Sequence, residues 1–224
     1  MIISIPKEIT LKKPEIFDFI QSKSLWSLVM YKIKSNDTRV TSLQSWFDDI
    51  VLNPCLELIE VANSIPDNKD YDYVMTDILR WVKDNIKYIP DNLQWKLPEY
   101  WQTPQETLTL RKGDCEDGAL LICALARYKG VPSNRVVIFA GDVYDATSIT
   151  KKGGHCWCGY RATEYPLNWC FMDWCYWYDG TTPSTRPKYY IQINTIYDDA
   201  LNRYKTIWFA FNDKIGHHSL LNSI

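Results

Sequence analysis

Three residues of this sequence have the types and spacing of a thiol-based catalytic site, and the first of them is Cys115. It lies in the run Gly-Asp-Cys-Glu-Asp at residues 113–117, where a turn leads into the strongly apolar segment 120–128. At a helix N-terminus, unpaired backbone N–H groups and the helix dipole stabilise a thiolate. The flanking carboxylates oppose that effect, so activation would require a nearby imidazolium. The plain alternative is a half-buried cysteine beside an ordinary N-cap aspartate.

His155 and Asp173 are the candidate partners of this thiol. His155 is one of three histidines and follows a Lys-Lys-Gly-Gly turn at the predicted start of a strand, where a base can face a nucleophile. Asp173 is the one carboxylate in the aromatic run 169–174. A buried aspartate needs a partner, so we expect His155 to contact it from an adjacent antiparallel strand. A turn-capping histidine and a strand-end aspartate are the structural alternatives.

Helices are predicted before Cys115 and strands after it. Apolar residues recur at helical spacing over residues 14–34, 41–63 (with an interruption at Pro54) and 72–87, and the apolar helix 120–128 ends at Gly130. Strand-like runs are residues 135–140, 155–161, 169–178, 189–193 and 206–211, and residues 1–10 could form a short strand or an extended arm. Helices followed by an antiparallel sheet indicate an α+β fold rather than alternating βαβ units.

The residues around the cysteine resemble a known family. Trp-Gln-Thr-Pro-Gln-Glu-Thr-Leu at 101–108 and Gly-Asp-Cys-Glu-Asp at 113–117 are similar to the W-x-x-P-x-E-T-L…G-D-C-E-D signature of the transglutaminase-like superfamily. The order of Cys, His and Asp in residues 115, 155 and 173 also matches, and the resemblance spans about residues 75–178. Within the superfamily, the bacterial transglutaminase-like cysteine peptidases are the nearest match.

The resemblance implies a papain-like fold and acyl transfer through a thioester. Cys115 would attack a peptide or amide carbonyl, His155 would move the proton and Asp173 would orient the imidazole. The oxyanion would be bound by the Cys115 backbone N–H and by one side chain, for which Trp101 and Gln102 are both candidates. In some of these peptidases the acids beside the cysteine bind calcium; Asp114 and Glu116 occupy those positions, although they could equally cap the helix.

The predicted domain organisation has two parts. Residues 1–70 form a helical N-terminal region that matches no known segment, and residues 71–224 form the transglutaminase-like catalytic core, a cysteine-bearing helix packed on an antiparallel sheet. We therefore expect a cysteine protease or amidase that hydrolyses a peptide or isopeptide bond. It should require no cofactor, unless it shares the calcium dependence of some of these peptidases. A protein-glutamine transamidase with the same acyl-enzyme and a catalytically inactive binding module are the alternatives.

Two groups of residues suggest a transition metal, and both are weaker indications. Cys156, Cys158, Cys170 and Cys175 lack C-x-x-C spacing, and strand alternation places them on different faces of the sheet, so small buried hydrophobic residues are the favoured interpretation. The adjacent pair His217-His218 lies in a polar tail, where exposed histidines are common.

Composition limits the classes of partner. The formal net charge is −2 and no run of five basic residues occurs, which disfavours nucleic acid and anionic membrane surfaces. No signal-like segment opens the sequence and no stretch of about 18 apolar residues occurs, so a cytoplasmic location is expected. The expected partner is a protein or peptide substrate, and the oligomeric state is left open.

Overall fold

The architecture is α+β, with helices packed against one antiparallel sheet. The computed structural model describes residues 38–97, 99–144, 151–164, 169–176, 183, 188–192, 195–197 and 204–217. The expected strand or arm over residues 1–10 and the helix over 14–34 lie outside these residues. The predicted fold class, α+β with a cysteine-bearing helix packed on an antiparallel sheet, is confirmed, and the described residues before residue 70 contain helices.

The helices follow the predicted order, with two additional short ones. Their bounds are α1 Thr38–Leu52, α2 Leu56–Ser64, α3 Tyr71–Asn85, α4 Asp91–Gln94, α5 Pro104–Leu110 and α6 Cys115–Tyr128. Pro54 separates α1 from α2, as expected for a residue that lacks a backbone donor. Helices α4 and α5 lie between the predicted helices 72–87 and 120–128, in a stretch for which the sequence predicts no regular element.

Capping residues explain why α5 and α6 begin where they do. The Thr103 hydroxyl accepts a hydrogen bond from the Glu106 N–H at 3.1 Å, and the Glu106 carboxylate accepts from the Thr103 N–H at 2.7 Å. At α6, the Asp114 N–H donates to Asp117 Oδ2 at 3.1 Å. These contacts satisfy donors at the helix start, so Cys115 is held as the first residue of α6.

Nine short strands complete the described structure. They are β1 Lys87–Tyr88, β2 Lys112–Gly113, β3 Val136–Tyr144, β4 Lys151–Tyr160, β5 Trp169–Met172, β6 Lys188–Gln192, β7 Thr195–Tyr197, β8 Tyr204–Phe211 and β9 Gly216–His217. The first two pair in parallel, and the others form a seven-stranded antiparallel sheet in the order β7-β6-β5-β4-β3-β8-β9. Strand β4 is therefore flanked on both sides.

The two faces of the sheet carry different cores. One face packs on α6, whose residues 116–126 are all buried, together with Cys156, Cys158 and Cys170 from the strands. The other face carries an aromatic cluster of Phe139, Trp157, Trp169, Phe171 and Tyr204. The three strand cysteines thus pack as small hydrophobic residues, and all seven cysteines of the chain are free.

Two strand predictions are wrong at their ends. Strand β4 begins at Lys151, so His155 lies inside the strand rather than at its start. Strand β5 ends at Met172, and residues 174–176 form a turn. Asp173 thus directly follows the strand, which is the structural alternative given above for this residue.

The boundary predicted near residue 70 stays a prediction. Leu43, Trp46 and Phe47 of α1 belong to the same hydrophobic core as α6, so the helices before that boundary share their interior with the residues after it. None of the helices in the described part of the chain has the length and apolar character needed to cross a bilayer.

Candidate active site

His155 and Asp173 form a close pair, as the sequence predicts. His155 Nε2 lies 2.7 Å from Asp173 Oδ2, and their side chains are 8% and 1% exposed. The same carboxylate accepts a hydrogen bond from the Tyr204 hydroxyl at 2.7 Å and, through Oδ1, one from the Cys175 N–H at 2.9 Å. Three donors therefore fix this buried carboxylate.

The electrostatic environment keeps Asp173 ionised. Burial by itself would raise the pKa of this carboxyl group. The charge and hydrogen bond of His155 act in the opposite direction, as do the hydrogen bonds from Tyr204 and the Cys175 N–H. Together they outweigh burial and lower the pKa of Asp173 below the ordinary range. An ionised carboxylate only accepts hydrogen bonds, so Nε2 of His155 carries a hydrogen and Nδ1 is left as the basic nitrogen of the neutral ring.

Aromatic rings restrict the orientation of the imidazole. The His155 ring stacks on Trp157 with centroids 5.9 Å apart and meets Tyr176 edge-on at 5.3 Å. Trp157 is fully buried in the aromatic cluster. Because β4 also holds the backbone, both ends of the side chain are constrained.

Cys115 opens onto the same cavity as His155. The cavity has a volume of about 560 Å³. Its lining comprises Tyr88, Pro90, Asp91, Asn92, Glu99, Trp101, Asp114, Cys115, Glu116, Ala140, Gly153, Gly154, His155 and Cys156. Asp173 lies outside this lining, so a ligand in the cavity would meet the thiol and the imidazole, with the carboxylate behind the ring.

The thiol of Cys115 is held in its protonated form by its surroundings. It donates a hydrogen bond to Glu116 Oε2, with sulfur and oxygen 3.2 Å apart. Burial, followed by the negative field of Asp114, raises the pKa of Cys115 well above its ordinary value. Burial and the charge of Asp114 therefore outweigh the stabilisation that the helix N-terminus gives a thiolate.

A tryptophan joins the cysteine to the aspartate. Trp174 follows Asp173, and its indole Nε1 donates to the Cys115 carbonyl at 3.3 Å. Its ring lies so close to Gly118 that an added Cβ there would be 2.2 Å from Nε1. On the cavity side, the Trp174 ring contacts Tyr88 at 5.7 Å between centroids.

The two oxyanion candidates are placed differently. Trp101 lines the cavity, where its Nε1 donates to Glu99 Oε1 at 3.1 Å. Gln102 is fully buried outside the lining, and its amide nitrogen donates to the Lys112 carbonyl at 3.0 Å and to Asp117 Oδ2. The Gln102 amide thus supports the start of α6, while Trp101 is the candidate that faces the cavity.

Acidic side chains cluster beside the thiol. One oxygen from each of Asp91, Glu99 and Glu116 lies within 4.8 Å of the others, and the same holds for Asp91, Asp114 and Asp117. Glu116 is 2% exposed, and its Oε1 has no hydrogen-bond partner. Carboxylate oxygens are the ligands that calcium prefers, and an orphaned buried oxygen suits a cation, so these residues fit the ion that the resemblance implies.

Several residues of the site were not singled out from sequence. Asp91 begins α4 and Glu99 lies between α4 and α5. Trp174 and Tyr204 hold Cys115 and Asp173. A Pro-Asp helix start at residues 90–91 was the available signal for Asp91. Tyr204 precedes a predicted strand and meets Asp173 from 31 residues away, so local pattern gave no signal for it.

The four cysteines considered for zinc do not form a shared ligand cluster among the described residues: Cys175 alone joins one, with His155 and Asp173. Cys156, Cys158 and Cys170 do not join any cluster of potential ligands there. His217 ends strand β9, whereas His218 lies outside the described residues.

Comparison with known proteins places the chain in a family. The model of the transglutaminase-like superfamily core matches residues 59–174, just over half of the 224 residues. Among solved structures, the chain is similar to Legionella pneumophila LapG in an EGTA-treated form (TM-score 0.45, 16% identity, 87% of this chain and 88% of that one). The calcium-bound form matches with TM-score 0.42 and 16% identity over 87% and 93%. No curated protein matches. The chain belongs to the transglutaminase-like superfamily.

Proposed function

We propose that the protein is a cysteine-dependent hydrolase of peptide or isopeptide bonds, with Cys115 as nucleophile, His155 as base and Asp173 as the group that orients His155. One observation carries the proposal: His155, which is paired with Asp173 at 2.7 Å, lines the same cavity as the Cys115 thiol at a helix N-terminus. Nucleophile, base and orienting carboxylate are the parts that thiol catalysis requires.

The hydrogen bonds define the direction of proton transfer. Nε2 donates to Asp173, so Nδ1 is the nitrogen that takes the proton of the Cys115 thiol. The thiolate then attacks the substrate carbonyl, and the imidazolium returns the proton to the leaving amine as the C–N bond breaks. Water attacks the resulting thioester with His155 again as base, which releases the acid and regenerates the thiol.

The start of α6 supplies stabilisation for the oxyanion. Cys115 is the first residue of the helix, and the first N–H groups of a helix have no acceptor within it. The Cys115 N–H can therefore donate to the negative oxygen of the tetrahedral intermediate. Trp101 is the candidate second donor, because it is the one of the two predicted side chains that lines the cavity; its single N–H would have to leave Glu99 to reach the oxyanion.

Calcium fits this mechanism as an activator. Asp114 and Glu116, with Asp91 and Glu99 nearby, would hold the ion. When bound, it would supply positive charge beside the thiol and so offset the carboxylates that raise the pKa of Cys115. Glu116 would then coordinate the ion and would no longer accept the hydrogen bond from the Cys115 thiol.

The test is the pH dependence of iodoacetamide labelling, with peptide mapping, on native protein with calcium or with EGTA. We expect Cys115 to react fastest near neutral pH with calcium, and His155→Ala to abolish that rate. Cys55, a half-buried cysteine at the start of α2, serves as the internal reference. If Cys115 reacts no faster than Cys55 under both conditions, the result contradicts the proposed thiol activation and favours the inactive binding module.

Turnover distinguishes the two catalytic outcomes. We expect peptide libraries incubated with the protein to show new termini that are absent with Cys115→Ala. Incorporation of a labelled primary amine into glutamine side chains, without new termini, would instead identify a transamidase, because an amine would then be replacing water at the thioester.

A further inference from the structure

A second thiol lies beside the histidine–aspartate pair. Cys175 belongs to the turn that follows Asp173, and its N–H donates to Asp173 Oδ1 at 2.9 Å. One ligand atom each from His155, Asp173 and Cys175 lie within 4.8 Å of one another. An imidazole nitrogen, a carboxylate oxygen and a sulfur therefore lie close together, and the mechanism above does not use the sulfur.

We propose that His155, Asp173 and Cys175 bind a thiophilic divalent cation such as zinc, and that this ion switches the active site off. The binding stands on the geometry of the three residues alone. The inhibition rests on the proposed function, since it requires His155 to be the base.

The three donors are a typical zinc set. Zinc accepts His nitrogen at about 2.0–2.1 Å, Cys sulfur at about 2.3 Å and carboxylate oxygen at about 2.0–2.2 Å. Two such ligands on one tetrahedral ion lie about 3.3–3.6 Å apart. The three atoms are within 4.8 Å of one another, and His155 Nε2 and Asp173 Oδ2, now 2.7 Å apart, would separate to admit the ion. His155 borders the cavity, whereas Asp173 and Cys175 lie outside its lining, so the ion would bind behind the imidazole ring.

Charge and protons balance in this arrangement. The Cys175 S–H bond breaks as the Zn–S bond forms, and that proton leaves to solvent. The imidazole hydrogen moves from Nε2 to Nδ1, because Nε2 now binds the metal. The thiolate and the Asp173 carboxylate together neutralise the dication in a site where the His155 and Asp173 side chains are 8% and 1% exposed, as buried charge requires.

This site differs in chemistry from the acidic cluster beside Cys115. The cluster offers carboxylate oxygens, which suit calcium, whereas a thiolate and an imidazole select zinc and its neighbours among the transition metals. The two ions would therefore occupy different positions and have opposite effects. With zinc bound, Nδ1 carries the hydrogen and can no longer accept the proton of Cys115.

The binding test uses cobalt(II) with the Cys115→Ala protein, which lacks the nucleophile and so excludes Cys115 as a ligand. We expect about one equivalent of cobalt to produce a thiolate-to-metal charge-transfer absorption, which excess calcium leaves unchanged and zinc removes by displacement. Adding Cys175→Ser should abolish the absorption, whereas adding Cys55→Ser should not. Circular dichroism checks the fold of each variant. An absorption that persists with Cys175→Ser overturns the proposal.

The inhibition test measures zinc protection of Cys115 against iodoacetamide, with EDTA as the reversal. We expect Cys175→Ser to require at least about tenfold more zinc for the same protection, because one ligand is lost. Equal zinc sensitivity of wild type and Cys175→Ser overturns the switch. Failure of the proposed function looks different: Cys115 would label slowly without zinc, while the cobalt spectrum of the Cys115→Ala protein would still report the site.

Discussion

The indole nitrogen of Trp174 donates a hydrogen bond to the backbone carbonyl of Cys115 at 3.3 Å. The bond links the turn after Asp173 to the first residue of α6. The absence of a side chain at Gly118 leaves the space that the indole ring fills. The position of Cys115 relative to the end of β5 therefore depends on the contact between Trp174 and Gly118.

Gly118→Ala should lower stability through a clash with Trp174. An added Cβ would lie 2.2 Å from the indole nitrogen, and overpacking typically costs about 1–3 kcal/mol. Urea unfolding monitored by circular dichroism measures the loss. In a Trp174→Ala background the sign should reverse, because alanine is favoured over glycine in a helix by up to about 1 kcal/mol. An equal loss in both backgrounds would show that the indole is not the obstacle.

Cys115→Ala should abolish turnover and labelling at that position without unfolding the chain. The residue begins a helix whose next eleven residues are buried, and alanine is a good helix former. Turnover assays and thermal unfolding of the same preparation check both parts, with Cys55→Ala as the matched variant that keeps activity. Undiminished turnover in Cys115→Ala would remove the proposed nucleophile.

Asp173→Asn should slow turnover strongly while Cys115 remains available for labelling. The amide is nearly isosteric but lacks the charge that orients and stabilises the His155 imidazolium. Comparison of kcat and KM with the wild type is the measurement, and the loss should fall on kcat. Wild-type kinetics in this variant would show that Asp173 has only a structural part.

Glu116→Gln should stabilise the calcium-free protein at neutral pH. Burial, followed by the field of Asp114, raises the pKa of Glu116 well above its ordinary value, so ionising it costs the folded state more than the unfolded state. The stability that the protonated Glu116 allows is fully present below the unfolded pKa of about 4.3. It is lost as pH rises towards the folded pKa, because the unfolded state then ionises and the folded state does not. The advantage of the glutamine variant should therefore appear above about pH 4.3 and vanish below it.

Urea unfolding across pH in EGTA tests this expectation, with the exposed Glu60→Gln as control. Calcium should stabilise the wild type more than Glu116→Gln. A glutamine variant that is less stable than wild type at pH 7 without calcium would contradict the assigned cost of this buried acid.

Asp213→Ala should destabilise the fold far more than Asp48→Ala. Arg127 binds Asp213 through two hydrogen bonds of 2.7 and 3.0 Å, and the aspartate side chain is 1% exposed. Removing one partner of a buried pair costs about 3–5 kcal/mol. The Lys214–Asp48 pair has the same 2.7 Å separation but is 51% and 32% exposed, so its loss should cost less than about 1 kcal/mol. Similar losses in the two variants would contradict this ranking.

The sequence predicts those parts of the structure that depend on local pattern. Pro54 marks the break between α1 and α2, and the Gly-Asp-Cys run marks the start of α6. The end of β5 was missed because Trp174, Cys175 and Tyr176 continue the apolar run. What ends the strand is a contact that pattern does not show: Asp173 Oδ1 accepts the N–H of Cys175 and so favours a turn.

In the candidate site too, the sequence predicts what depends on local pattern and misses what depends on tertiary contacts. His155 and Asp173 could be paired because a buried carboxylate in an apolar strand needs a partner. Tyr204 and the acids Asp91 and Glu99 could not be found, since their proximity to the site depends on how loops and strand β8 fold back. Of the two oxyanion candidates, the structure shows Gln102 supporting Asp117, a role that no spacing indicates.

The burial of α6 on all sides has a consequence for how the protein unfolds. Amides at residues 116–126 are enclosed by the sheet on one side and by α1, α2, α3 and α5 on the others, so their exchange with heavy water should need nearly complete opening of the molecule. Cys123 lies within this segment and is fully buried. Labelling of its thiol can therefore report global unfolding, while fraying of peripheral helices should leave it unchanged.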